Sequence, residues 1–132
     1  MKIQAWLCAL LASGVCLFGG ACAAAGQSAE DATYQIIDAE TAKEMMDANT
    51  DAIIVDVRTQ KEFDEGHIAG AISIANESIG KEMPALLPDL EAEILVYCRS
   101  GNRSAQAAEK LAALGYTHIY DFGGLSDWPY PL

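Results

Sequence analysis

Two apolar runs constrain this chain more than any other feature: Ala52-Ile53-Ile54-Val55-Asp56 and Glu93-Ile94-Leu95-Val96-Tyr97. In each, the apolar residues are consecutive. A strand with one wet face alternates, whereas a strand covered on both faces does not. Two such strands require a layer of structure on each side of a sheet. The intervening segments supply those layers. Asp38 can cap a helix running to about Asn49, with Ala42, Met45 and Met46 apolar at helical spacing. Gln60 to Glu65 reads as a short helical turn, and Glu77 to Leu87 as a helix ended by Pro88. Ser104 to Leu114 is Ala-rich and stops at Gly115, where a left-handed residue is wanted. Tyr34–Ile37, Ala71–Ile74 and His118–Asp121 read as further short strands, and the tail from Gly123 adds one turn before Pro129 and Pro131. Alternation of this kind predicts an α/β three-layer sandwich: a mostly parallel sheet of about five strands with helices on both faces.

The first 25 residues belong to a different argument. Lys2 is the only charge before Glu30, and an apolar centre from Ala5 to Phe18 gives way to small residues. That is the pattern of a secretory signal over residues 1–25. Cleavage could follow Ala23 or Ala25. Alternatively, Phe18-Gly19-Gly20-Ala21-Cys22 resembles a bacterial lipoprotein box, with Cys22 as the lipidated residue. An uncleaved anchor is the third reading. Residues 26–33 are small and polar, a tether, and 34–132 form the folded domain. The expected location is outside the cytoplasm, in the periplasm or cell envelope, with the membrane touched only through the N-terminal segment.

Composition narrows the partners. Eight Lys+Arg stand against 19 Asp+Glu, a formal charge of −11. Such a surface repels phosphate backbones, which argues against a nucleic-acid partner. Of the four cysteines, Cys8, Cys16 and Cys22 fall in the signal, so Cys98 stands alone in the folded part, with no disulfide partner and no metal cluster.

Cys98 directly follows the second apolar run. The six residues Cys98-Arg99-Ser100-Gly101-Asn102-Arg103 close a loop before a helix beginning at about Ser104. Such a loop can turn backbone N–H groups inward as an anion nest. Gly101 supplies a permissive backbone position. The helix N-terminus adds free donors and partial positive charge, and Arg99 and Arg103 add full charges. Each effect favours thiolate over thiol. The loop therefore specifies a nucleophilic cysteine that attacks an anionic substrate, with no separate base. In parallel sheets ligands bind at the carboxyl ends of strands, where both this loop and Asp56-Val57-Arg58 lie.

Cys98-Arg99-Ser100-Gly101-Asn102-Arg103-Ser104 resembles the active-site loop of the rhodanese family. Asp56-Val57-Arg58-Thr59 with Glu62-Phe63, then Gly66-His67-Ile68-Ala69-Gly70-Ala71, resemble its two signatures, and Gly123-Gly124-Leu125-Ser126-Asp127-Trp128 its terminal element. The resemblance spans about Tyr34 to Trp128. It implies a single-domain sulfurtransferase in which Cys98 takes the outer sulfur of a donor such as thiosulfate as a persulfide. That sulfur then passes to cyanide, a thiol or a thioredoxin-like acceptor. It implies no cofactor and no metal; a monomer is expected. Relatives with the same fold include phosphatases and arsenate reductases, whose loop is one residue longer. A binding module that has lost activity is the remaining alternative.

Other residues take supporting places. Arg103 is expected to face the anion, and Arg99 to draw in or contact the donor. Asp56 can accept bonds from loop backbone, and Arg58 can pair with Glu62 or Asp56. The resemblance makes His67 a scaffold residue at a strand entry. Phe122, Trp128 and Tyr130 are expected to cover the sheet.

Overall fold

The computed structural model describes residues 33–132; the expected signal, the Cys22 lipidation site and most of the tether lie outside the described residues. The elements are β1 (Gln35–Ile36), α1 (Ala39–Ala48), β2 (Ile53–Asp56), α2 (Gln60–Glu65), β3 (Ile72–Ser73), β4 (Glu93–Cys98), α3 (Asn102–Ala113) and β5 (His118–Gly124). Single 3-10 turns follow β3 at Asn76–Ser78 and β5 at Leu125–Asp127. The strands order as β1-β5-β4-β2-β3, and every pairing is parallel.

β4 is central and buried on both faces. Ile94, Val96 and Cys98 point into a cluster with Ala107, Ala108 and Leu111 of α3. Leu95 and Tyr97 point the other way, toward Ala42 and Met45 of α1 and Phe63 of α2. Three layers follow from that alternation. Each fully buried Leu, Ile or Val stabilises the sandwich by roughly 1.5–3 kcal/mol.

The helix ends follow local chemistry. Asp38 accepts from Thr41 N–H at 2.8 Å. Thr59 and Glu62 form a reciprocal capping box at the start of α2. α3 closes with Tyr116 N–H donating to Leu111 O and Gly115 N–H to Ala112 O, a Schellman ending.

Three expectations are corrected. Glu77–Leu87 is not a helix. Gly80 and Pro84 fall inside that span, and a proline there lacks an N–H and collides with the carbonyl four residues back. The segment is held as a loop: Ile79 and Leu87 are buried, and Tyr116 Oη donates to the Leu87 carbonyl at 2.5 Å. α3 begins at Asn102 rather than Ser104, with Gly101 at its cap. β5 runs on to Gly124 rather than ending at Asp121, because Cys98 pairs with Gly124 through a bulge.

This topology places the site. From β2 the chain moves outward to β3, then returns across β2 to β4 and goes outward to β5. The crevice between β2 and β4 is where direction reverses, the position at which open α/β sheets bind ligands. Asp56 and Cys98 end those two strands.

Candidate active site

Asp56 is fully buried and Arg58 is 5% exposed. The Arg58 backbone N–H donates to Asp56 Oδ1 at 2.9 Å, and its guanidinium spans both carboxylate oxygens. Arg58 also donates to Gly66 O at 2.7 Å. Tyr97 Oη donates to Asp56 Oδ2 at 2.8 Å and accepts the Ile68 N–H at 3.1 Å. A buried ion pair repays its desolvation only when its remaining groups are satisfied, and these are. The hydrogen bond to Asp56 raises the Arg58 pKa. Burial pushes the Tyr97 phenol up, with Asp56 adding to it. The network ties the ends of β2 and β4 to the Gly66–Ile68 segment.

The sequence leaves Arg58 a choice between Glu62 and Asp56, and the structure pairs it with Asp56. Glu62 takes Arg103 instead, at 2.8 and 3.1 Å. Arg103 therefore does not present a free guanidinium to an anion, as the sequence reading expects; it clamps α3 to α2. The Arg103 hydrogen bond holds the Glu62 carboxyl down at about 2, and Glu62 raises Arg103 in turn. His67 stacks on Phe63 with ring centroids 3.7 Å apart, its Nδ1 lying 2.8 Å from the Phe63 carbonyl oxygen. That places it in the scaffold.

Cys98 closes β4 and is 1% exposed. The loop proper is only Arg99-Ser100-Gly101, since Asn102 and Arg103 already belong to α3. Gly101, at φ +103°, adopts a conformation that L side chains rarely take, and its N–H donates to Cys98 Sγ at 2.9 Å. The first-turn amides of α3 add donors with no intrahelical acceptor. Ser104 is fully buried, and its Oγ donates to Gly101 O at 3.0 Å, with Gly123 O 3.3 Å away. From the other side, Ser126 N–H donates to Arg99 O at 3.2 Å. Gly124 lies so close to the loop that a Cβ there would sit 2.6 Å from Ser100 N and nearer still to the Arg99 carbonyl.

Arg99, Ser100 and Asn102 are exposed. Arg99 has no ion-pair partner among the described residues, unlike Arg58 and Arg103. It lines a cleft of about 380 Å³ with Arg58, Glu62, Ser126 and Leu132. Cys98 itself is not part of that lining; it lies one residue inward, beneath the loop. Among the described residues no group of three or more His, Cys, Asp or Glu side chains is placed to hold a metal ion. Trp128 packs on Phe122 with ring centroids 5.4 Å apart, and Tyr130 on Trp128.

Sequence reasoning missed three contributors: the Tyr97 hydroxyl, the Gly66 carbonyl and the Ser126 amide. Tyr97 carried a signal. A tyrosine at the end of a strand buried on both faces needs a partner for its hydroxyl, and Asp56 ends the only other such run. The two remaining contributors are backbone groups, which side-chain types do not announce.

A cysteine presented by a tight loop between the central strand and a helix, at the switch point of a parallel sheet, defines a class of anion-handling thiol enzyme. The rhodanese-like domain profile matches residues 38–129. Thiosulfate sulfurtransferase PspE of Escherichia coli strain K12 is 36% identical over 77 residues, covering 58% of this chain and 74% of that protein. Thiosulfate sulfurtransferase GlpE of Pseudomonas aeruginosa strain LESB58 is 34% identical over 97 residues, covering 73% and 84%. Among solved structures, an E. coli rhodanese with anions superposes with a TM-score of 0.56 at 35% identity, covering 61% of this chain and 94% of that one. The human single-domain sulfurtransferase TSTD1 gives 0.57 at 29% identity, covering 67% and 89%. This chain belongs to the rhodanese-like domain family, and as an enzyme it is a rhodanese-type sulfurtransferase.

Proposed function

We propose that the protein moves sulfane sulfur from thiosulfate, or a similar small anionic donor, to a thiol or cyanide through a persulfide on Cys98. The observation that carries this reading is the Gly101 N–H held 2.9 Å from Sγ at the start of α3, with the unpaired Arg99 beside it. The thiolate is the nucleophile. It attacks the outer sulfur of thiosulfate, and a new S–S bond forms as the donor S–S bond breaks. Sulfite leaves with the bonding electron pair. An acceptor thiolate or cyanide then attacks the outer sulfur of the persulfide, and Cys98 leaves as thiolate. This is a double displacement through a covalent intermediate.

In this scheme Arg99 draws in the anion, Ser104 and Ser126 hold the loop, and the Asp56–Arg58–Tyr97 network fixes the strand ends beneath it. Export as a monomeric envelope protein is part of the same proposal. It rests on the signal-like residues 1–25, with Cys22 as the residue lipidated if the lipoprotein box is used. Among the described residues no helix is long and apolar enough to cross a membrane.

The test is intact mass of the chain after thiosulfate, then after cyanide. A gain of one sulfur atom is expected, lost on cyanide treatment and missing in Cys98→Ala. An equal gain in Cys98→Ala would overturn the reading. So would no gain combined with hydrolysis of an aryl phosphate.

A further inference from the structure

A groove of about 680 Å³, larger than the Arg99 cleft, lies elsewhere on the domain. It shares no lining residue with that cleft, yet it reaches the same loop through Gly101 and Gly123. Gly101 is the residue whose N–H holds the sulfur. Ile36, Pro129 and Tyr130 give the groove its accessible apolar surface, and Ile36, on an edge strand, is 78% exposed. Four carboxylates line it: Asp38, Glu40, Asp121 and Asp127. Asp38 is spent on the α1 cap and Asp121 on the Gly123 N–H. Glu40 and Asp127 have no ion-pair partner among the described residues. No Lys or Arg among the described residues lines the groove. Lys43 lies 5.8 Å from the Tyr130 ring centroid and is already paired with Asp47.

The loop is thus approached by two surfaces of unlike character. The unpaired Arg99 offers a small dianion a point of attraction that the acidic groove lacks. An apolar groove with an acidic rim complements a ligand that is apolar and positive. A small anionic donor fills neither its volume nor its charge.

Resting on the proposed sulfur transfer, we propose that this groove docks the acceptor: a basic, apolar polypeptide segment that carries the receiving thiol. The donor enters over Arg99, and the acceptor lies along β1 and the Pro129–Tyr130 tail.

The experiment uses the full chain and two synthetic peptides of equal length. In one, a cysteine is flanked by leucine and lysine; in the other, each lysine is replaced by glutamate. Binding is read first, by amide chemical shifts, with serine in place of the peptide cysteine so that no chemistry is needed. The basic peptide is expected to shift Ile36, Glu40, Asp127 and Tyr130, with affinity at least about fivefold above the acidic one and falling with salt.

Sulfur transfer from the thiosulfate-loaded enzyme is read second. Glu40→Gln with Asp127→Asn is expected to raise KM for the basic cysteine peptide about tenfold and to leave cyanide turnover unchanged. Equal affinity for the two peptides, shifts confined to the Arg99 cleft, or an unchanged KM in the double variant would overturn the assignment. Groove shifts that follow protein concentration rather than peptide would put a second copy of the chain there and overturn it equally. If the basic peptide binds the groove but thiosulfate loads no sulfur, the sulfur-transfer reading fails and the docking surface stands.

Discussion

Gly124→Ala is the substitution by which the structure commits itself most sharply. Gly124 ends β5 opposite Cys98, and its missing side chain is what lets the Arg99–Ser100 backbone lie against the strand. A Cβ there would stand 2.6 Å from Ser100 N, where ordinary contact begins near 3.4 Å, and the Arg99 carbonyl is closer still. The loop must therefore retreat by at least about 0.8 Å, and what obstructs it is backbone, which cannot swing aside as a side-chain tip can. The Ser126 bond to Arg99 O is already 3.2 Å and does not stretch that far. A displacement near 1 Å in a catalytic loop costs about a hundredfold in rate. The expected outcome is a folded protein with kcat/KM for thiosulfate down about a hundredfold and a stability loss of about 1–3 kcal/mol from overpacking. Gly80→Ala is the control, since a Cβ at Gly80 meets nothing within 4 Å, and it should leave both quantities near wild type. Steady-state cyanide turnover and urea melts on the three proteins decide the matter. Gly124→Ala within threefold of wild-type activity would refute the claim that this close approach sets the loop.

Other expectations concern the polar supports. Glu62→Gln keeps a capping side chain at the third position of α2 but removes the charge paired with Arg103. A shift from 4.5 to about 2 would convert in full to roughly 3 kcal/mol, but both partners are a fifth or more exposed, so about 1–2 kcal/mol is expected. Because the folded pKa is depressed, the wild-type advantage should be complete above about pH 4.5 and fade as pH falls toward 2, in urea melts across that window. Tyr97→Phe leaves the buried Ile68 N–H without its acceptor and takes one donor from Asp56 Oδ2, which keeps Arg58; a loss of about 1–3 kcal/mol in the same melts is expected. Arg99→Ala removes the unpaired cation at the cleft and should raise KM for thiosulfate about tenfold while changing kcat less. An equal fall in kcat would make Arg99 part of the chemistry rather than of capture.

The legible part of the fold was the part governed by local rules. The runs at 52–56 and 93–97 lack alternation because both faces are covered, and they became the neighbouring buried strands β2 and β4. Asp38 and Gly115 mark helix ends through bonds to residues within a turn. The Glu77–Leu87 reading failed because it gave weight to helical composition over Gly80 and Pro84, whose backbone constraints are not averaged away by good neighbours. The missing half of β5 had the opposite cause. Phe122-Gly123-Gly124 looks like the end of a strand, yet glycine is what the close pass against the Arg99 loop requires, so tertiary contact overrode a sound local inference.

The site divides along the same line. Cys98 and its loop were legible because nucleophile, glycine and helix start are contiguous, and their chemistry follows from adjacency. The long-range contacts were not. Glu62 and Arg103 are 41 residues apart, as are Asp56 and Tyr97, and sequence spacing carries no distance information at that range. Their consequence is nevertheless strong. With Arg58 and Arg103 both committed to carboxylates, a chain of net charge −11 presents Arg99 as the one unpaired cation of the cleft beside the Cys98 loop among the described residues. On a surface this acidic, that one cation is the point to which the proposed dianionic donor would be drawn. The same distribution leaves the acidic groove on the other flank of that loop for a reactant of opposite charge. One short loop between β4 and α3 thus lies between the cleft that holds Arg99 and a groove lined by four carboxylates, so the proposed double displacement can admit donor and acceptor from different sides.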